Sequence, residues 1–135
     1  MTISSLAYVH PKAIIGKNVS IGPFSYVDED VEIGDDCILE NSVTIKRYSC
    51  IGKKNHFHTG CVIGGTPQDL KFHGEKTSLF IGDENTFREC VTVNRGTEAG
   101  NGETSIGSKN LLQCYVHIAH DCVIGNNIVI SAYAG

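Results

Sequence analysis

Residues 27–63 read VDEDVEIGDDCILENSVTIKRYSCIGKKNHFHTGCVI. Within them Val27, Ile33, Leu39, Ile45, Ile51, Phe57 and Ile63 fall six apart. The same phase runs back through Ile21 and Ile15 to Val9, ten positions without a miss. It resumes at Ile81, Phe87 and Val93, and again at Ile106, Leu112, Ile118, Ile124 and Ile130. Four residues after each apolar position the side chain is usually small: Val19, Ser25, Val31, Cys37, Val43, Ser49, Cys61, Val91, Thr97, Val116, Cys122 and Ala134. Asn55, Asn85 and Asn110 are the polar exceptions. A period of six matches neither the helical repeat of about 3.6 nor simple alternation. It suits a short strand and a corner, with two inward positions per strand.

Three such sides close a triangular coil of 18 residues, and the sequence supports that number separately. The dipeptide Ile-Gly recurs at Ile15, Ile33, Ile51, Ile81, Ile106 and Ile124, at spacings of 18, 18, 30, 25 and 18. Two coils are therefore enlarged, by 12 and by 7 residues. With those extras removed, the glycines stack along one edge of a prism, where glycine reaches backbone angles that other residues resist. Asn55, Asn85 and Asn110 stack in register as a ladder of mutually hydrogen-bonding amides. Each coil pairs with those above and below, so open edges are confined to the two ends. The fold class is all-β: a parallel prism of stacked coils with two extruded loops.

Composition narrows the rest. The 135 residues fit a single domain, 1–135, with a modest core. A net charge of −4 gives no global attraction to nucleic acid or an anionic membrane. No apolar run approaches the ~18–20 residues of a membrane span. Residues 1–9 lack the basic-then-apolar order of a secretory signal. Six cysteines, none in a C-x-x-C pair and three on the small inward position, read as reduced thiols of a cytoplasmic protein rather than a disulfide framework.

The interruptions carry the functional signal. The first spans roughly residues 66–79 and the second roughly 95–105, within GGTPQDLKFHGEKTSLF and NRGTEAGNGETS. Both leave after the third side of their coil, so they emerge from one corner, a coil apart. Loops held on a rigid scaffold are where binding and catalysis concentrate. Beside that corner the repeat places Arg47, Gly65, Arg95 and His120 in one outward column, with Asp121 next in sequence and His117 at a nearby corner. Lys46, Arg47, Lys53, Lys54 and Arg95 form a basic outer face; such charges are usually just solvated, though they also suit an acidic partner or a pyrophosphate. A metal set of His117, His120, Asp121 and Cys122 matches no standard zinc spacing. A cysteine nucleophile fails because Cys122 points inward and Cys114 has no evident base.

The hexapeptide pattern, IGGTPQDLKF, the NRGT loop and HIAHDC together resemble the acyl-[acyl-carrier-protein]–UDP-N-acetylglucosamine O-acyltransferases of lipid A biosynthesis, along essentially the whole chain. The resemblance implies a left-handed parallel β-helix assembled as a homotrimer with active sites between subunits. It implies transfer of a 3-hydroxyacyl group from acyl carrier protein to the glucosamine 3-OH of UDP-N-acetylglucosamine, with no metal or other cofactor. It places His120 as general base and Asp121 as the carboxylate behind it. His117, Gln68, Asp69, Lys71 and Arg95 are assigned to substrate. Two departures follow from the same resemblance. Asn94 stands where the family commonly has histidine, which bears on sugar recognition and on whether the acceptor is a hydroxyl or an amine. The chain also stops at Gly135, where family members continue through further coils and a helical domain, so the sequence reads as an N-terminal portion with weak or no turnover alone. A related UDP-sugar N-acyltransferase and a non-catalytic trimerisation scaffold are the competing readings. HIAHDC favours the first.

Overall fold

The computed structural model describes residues Met1–Gly135 as 19 short parallel strands and no helix. They form three flat stacks. The first sheet has seven strands, from Thr2–Ile3 through Ser20–Ile21, Ile38–Leu39, His56–Phe57, Thr86–Phe87 and Leu111–Leu112 to Val129–Ile130. The second runs in six from Tyr8–Val9 to His117–Ile118, and the third in six from Ile14–Ile15 to Val123–Ile124. The chain visits the sheets in rotation, so each strand pairs with the one a full coil away: Val27 with Ile45, Ile33 with Ile51, Phe57 with Phe87.

The strands are short because the corners recur every six residues. Each strand supplies one large inward side chain at its end, and the small position four residues later supplies the next. These two sets make a single core of 22 buried residues along the prism axis. Phe57 and Phe87 stack within it at 4.6 Å between ring centroids, a contact contributing about 1 kcal/mol beyond its area.

The corners correct the expectation for glycine. The glycines after Ile33, Ile51, Ile81 and Ile106 do not have positive φ. Their reason is space: a Cβ on Gly34 would lie 2.5 Å from the Gly52 carbonyl oxygen, and one on Gly52 would lie 2.6 Å from that of Gly82. The left-handed conformation falls two residues later, on ordinary side chains, among them Asp36, Lys54, Glu84, Lys109 and Asp121. Fourteen non-glycine residues take it, all at this one corner position. Neighbouring coils hold them there through a repeated bond, as when Asp36 N–H donates to the Lys17 carbonyl at 2.9 Å.

The asparagine column is present, with a different bonding rule. Only Asn85 Nδ2 to Asn55 Oδ1, at 3.0 Å, joins two side-chain amides. The other bonds go to backbone. Asn55, Asn85 and Asn110 each donate at 2.8 Å to the carbonyl of Gly82, Gly107 and Gly125 in the next coil. The same inward position does this with other donors: Ser25 to the Glu40 carbonyl at 2.9 Å, Cys37 to Gly52 and Cys61 to Arg88 at 3.1 Å. All six cysteines are free. Burial pushes the Cys61 thiol up to about 12, so it serves as a small neutral donor.

Both inserted segments link the second sheet to the third, at one corner. They are shorter than the sequence suggests, covering 66–77 and 95–102, because the strands Ser78–Ile81 and Glu103–Ile106 start early. Leu79 and Thr104 are each fully buried, an extra inward position beyond the regular pair. No helix is long and apolar enough to cross a membrane.

Candidate active site

His120 and Asp121 follow the strand His117–Ile118, at the corner where the chain passes from the second sheet to the third. Asp121 occupies the left-handed corner position, with φ 65°. Its carboxylate turns back onto the imidazole, with Oδ2 2.7 Å from His120 Nδ1. A carboxylate only accepts, so Nδ1 carries a proton, and in the neutral imidazole Nε2 is the nitrogen with the free lone pair.

The second inserted segment locks this carboxylate in place. Thr97 N–H and Oγ1 donate to it at 2.9 and 2.6 Å, and Asn101 N–H at 3.2 Å. Thr104 Oγ1 accepts the Asp121 N–H at 2.8 Å. Gly100 lies so close that a Cβ there would collide with the carboxylate. Burial pushes the Asp121 carboxyl up, but the Thr97 donors and His120 outweigh it and hold it below the usual carboxylate range.

The first inserted segment supplies the opposite wall. Asp69 Oδ2 stands 3.9 Å from His120 Nε2. Its own turn is fixed by Lys71 N–H donating to Asp69 Oδ1 at 3.0 Å and Phe72 N–H to the Asp69 carbonyl at 2.9 Å. Asp69, Lys71, Thr97, Gly100, His120 and Asp121 line one open pocket. The imidazole thus has a fixed tautomer, and its free nitrogen faces a gap that can take a hydroxyl.

Three other sequence-assigned residues lie apart from this pocket. Gln68 is exposed and does not line it. His117 is not at a corner. It projects from a strand of the second sheet, its Nδ1 2.7 Å from Thr92 Oγ1. Arg95 is only 7% exposed and is not part of an open basic face. It sits between the rings of Tyr48 and Phe72, each 5.2 Å away, and reaches the Glu75 carbonyl at 3.4 Å. It therefore packs the first segment against the prism, and burial pulls its pKa down. Arg47 below it is spent on Asp30 at 2.7 Å. Asn94 is also buried, with its carbonyl toward Gly65. The sequence reading missed Thr97, Thr104 and Gly100 as supports of Asp121. Thr97 carried a signal, a hydroxyl on the small inward position. Nothing local marked Thr104.

The model for the bacterial transferase hexapeptide (six repeats) matches residues 12–47 and 103–135. The chain belongs to this family of hexapeptide-repeat transferases. This hexapeptide-repeat chain is 42% identical over 131 residues to the acyl-[acyl-carrier-protein]–UDP-N-acetylglucosamine O-acyltransferase of Saccharophagus degradans, covering 93% of the chain and 51% of that relative. It superposes on the UDP-N-acetylglucosamine acyltransferase of Bacteroides fragilis with a TM-score of 0.92 and 50% identity, over 94% of this chain and 49% of that one. For the Francisella novicida UDP-N-acetylglucosamine acyltransferase the figures are 0.91 and 42%, over 95% and 47%. A mirror-image coil would not superpose, and the hexapeptide-repeat prism is a left-handed parallel β-helix. The chain spans about half the length of the curated relatives it matches.

Proposed function

We propose that this chain takes part in transfer of a 3-hydroxyacyl group from acyl carrier protein to the 3-OH of UDP-N-acetylglucosamine, the opening step of lipid A biosynthesis. The observation that carries the proposal is the His120–Asp121 pair at 2.7 Å, with Nε2 left facing the Asp69 side of the pocket. A sugar hydroxyl is a weak nucleophile. His120 Nε2 takes its proton as the oxygen attacks the thioester carbonyl, and Asp121 stabilises the imidazolium that forms. The tetrahedral adduct collapses by breaking the C–S bond, and His120 returns the proton to the departing thiolate. Asp69 positions the sugar, and the Lys71 ammonium faces the negative charge of the sugar nucleotide or carrier. Gln68, His117 and Arg95 have no direct role in this step, and Arg95 acts by holding the first inserted segment against the prism. The likeness to three UDP-N-acetylglucosamine acyltransferases supports the substrate class. A homotrimer working in the cytoplasm belongs to the same proposal.

The test is ester formation from 3-hydroxyacyl carrier protein and UDP-N-acetylglucosamine. It is run on the chain fused to the C-terminal half of the Saccharophagus degradans relative, so that the protein has that relative's length. The expected result is product with His120 present and a loss of about 10²–10⁴-fold in His120→Ala. No product from the fusion, or equal rates with and without the imidazole, would overturn the reading.

A further inference from the structure

A second cluster of histidine and carboxylate lies on the outer surface of the first sheet, away from the His120 pocket. His56 and His58 alternate outward from the strand His56–Phe57, with Phe57 inward between them. Their rings stack at 4.1 Å and 6°. Glu40 lies directly below His58 in the preceding coil, since Leu39 pairs with Phe57. One oxygen, Glu40 Oε2, is 2.7 Å from His56 Nε2 and 3.0 Å from His58 Nδ1. All three donor atoms lie within 4.8 Å of one another.

We propose that Glu40, His56 and His58 form a site for a divalent transition-metal cation of the zinc class, bound by three protein ligands and open to solvent on its remaining side. One carboxylate oxygen lies within hydrogen-bond reach of His56 Nε2 and 3.0 Å from His58 Nδ1, which gathers the donor set of a two-histidine, one-carboxylate site in one place. Bonds of about 2.0–2.2 Å at a tetrahedral centre place ligand atoms roughly 3.3 Å apart. From the present separations of 2.7 and 3.0 Å this takes an outward swing of the partly exposed Glu40 side chain and a rotation of one imidazole out of the parallel stack, so that both in-plane lone pairs meet at the ion. The surroundings allow it. Gly22, which pairs below Glu40, has no side chain, and the cation above, Arg88, is paired with Glu89 at 3.1 Å. A bound ion would clip two successive coils together from outside. The site takes no part in the proposed acyl transfer and stands independently of it.

The test is titration of the chelator-treated chain with Co²⁺, read by visible absorption, followed by competition with Zn²⁺ and thermal unfolding. Expected are one Co²⁺ per chain with a d–d spectrum lacking thiolate charge transfer, displacement by Zn²⁺, and a higher melting temperature with Zn²⁺ but not Mg²⁺. The His56→Gln/His58→Gln double variant and Glu40→Gln should each lose the spectrum while keeping the β-sheet circular dichroism. His120→Gln should retain it. Absence of binding, a thiolate band, or binding that survives the double variant would overturn the proposal.

Discussion

Asp121 shows how much one residue of this prism carries. It takes the left-handed corner angle, receives three hydrogen bonds from the second inserted segment, and fixes the His120 tautomer. Its lowered carboxyl has a consequence for stability with a definite sign. A group whose folded pKa lies below its unfolded value, about 3.9, contributes stability that is full above that value. The contribution is lost as pH falls through the folded value. Asp121→Asn should therefore lower the melting temperature most at neutral pH, and the gap to the unmodified chain should close below about pH 4. Melting curves at several pH values check this, and a gap constant with pH would mean that the charge contributes nothing. The pair itself was legible in HIAHDC. The threonines that hold it were not, because Thr97, which donates to the carboxylate, and Thr104, which accepts the Asp121 N–H, meet Asp121 across 24 and 17 residues of chain.

At the scale of the strand and corner, the period of six located every strand but the first, Thr2–Ile3, because one large inward residue recurs in each strand. Corner chemistry was harder to read. Glycine in Ile-Gly suggested an unusual φ, yet the constraint is the carbonyl of the next coil occupying the space a Cβ would need, a contact 18 or more residues away. Positive φ falls instead on Lys54, Glu84 or Tyr115, which no local rule favours there. The stacked coils impose that angle. The inward polar residues belong to the same corners. Asn85 satisfies the Gly107 carbonyl and, through Oδ1, the Asn110 N–H at 3.0 Å. Asn85→Leu keeps the volume but strands both groups in the core, at a cost of about 3 kcal/mol. Cys61→Val keeps the volume and removes only a weak S–H donor from the Arg88 carbonyl, which retains the Val91 N–H, so it should cost about 1 kcal/mol or less. Chemical unfolding of the two variants separates a hydrogen-bonding role from a space-filling one. Equal losses would reject the distinction.

The whole molecule is a one-dimensional stack, and its unit is the coil rather than the hexad. Removing residues 16–33 joins Ile15 to Gly34 and deletes one complete coil. Ile15 then takes the place of Ile33 against Ile51, the glycine column stays continuous, and everything from Gly34 to the His120 pocket keeps its partners. Removing only residues 22–27 takes out a third as much chain but turns the N-terminal coils by one side of the triangle. His10 then falls beneath Gly34, in the column where a Cβ meets the backbone of the coil above at less than 3 Å. The large inward residues still face the axis, so apolar burial alone predicts that the six-residue deletion is the milder one. The corner geometry predicts the opposite order. The 18-residue deletion should melt as a folded prism with a modest loss of stability. The six-residue deletion should melt well below it or lose its N-terminal coils to proteolysis. Circular dichroism melts and limited proteolysis of the two deletions decide between hydrophobic period and corner register as the determinant of this fold.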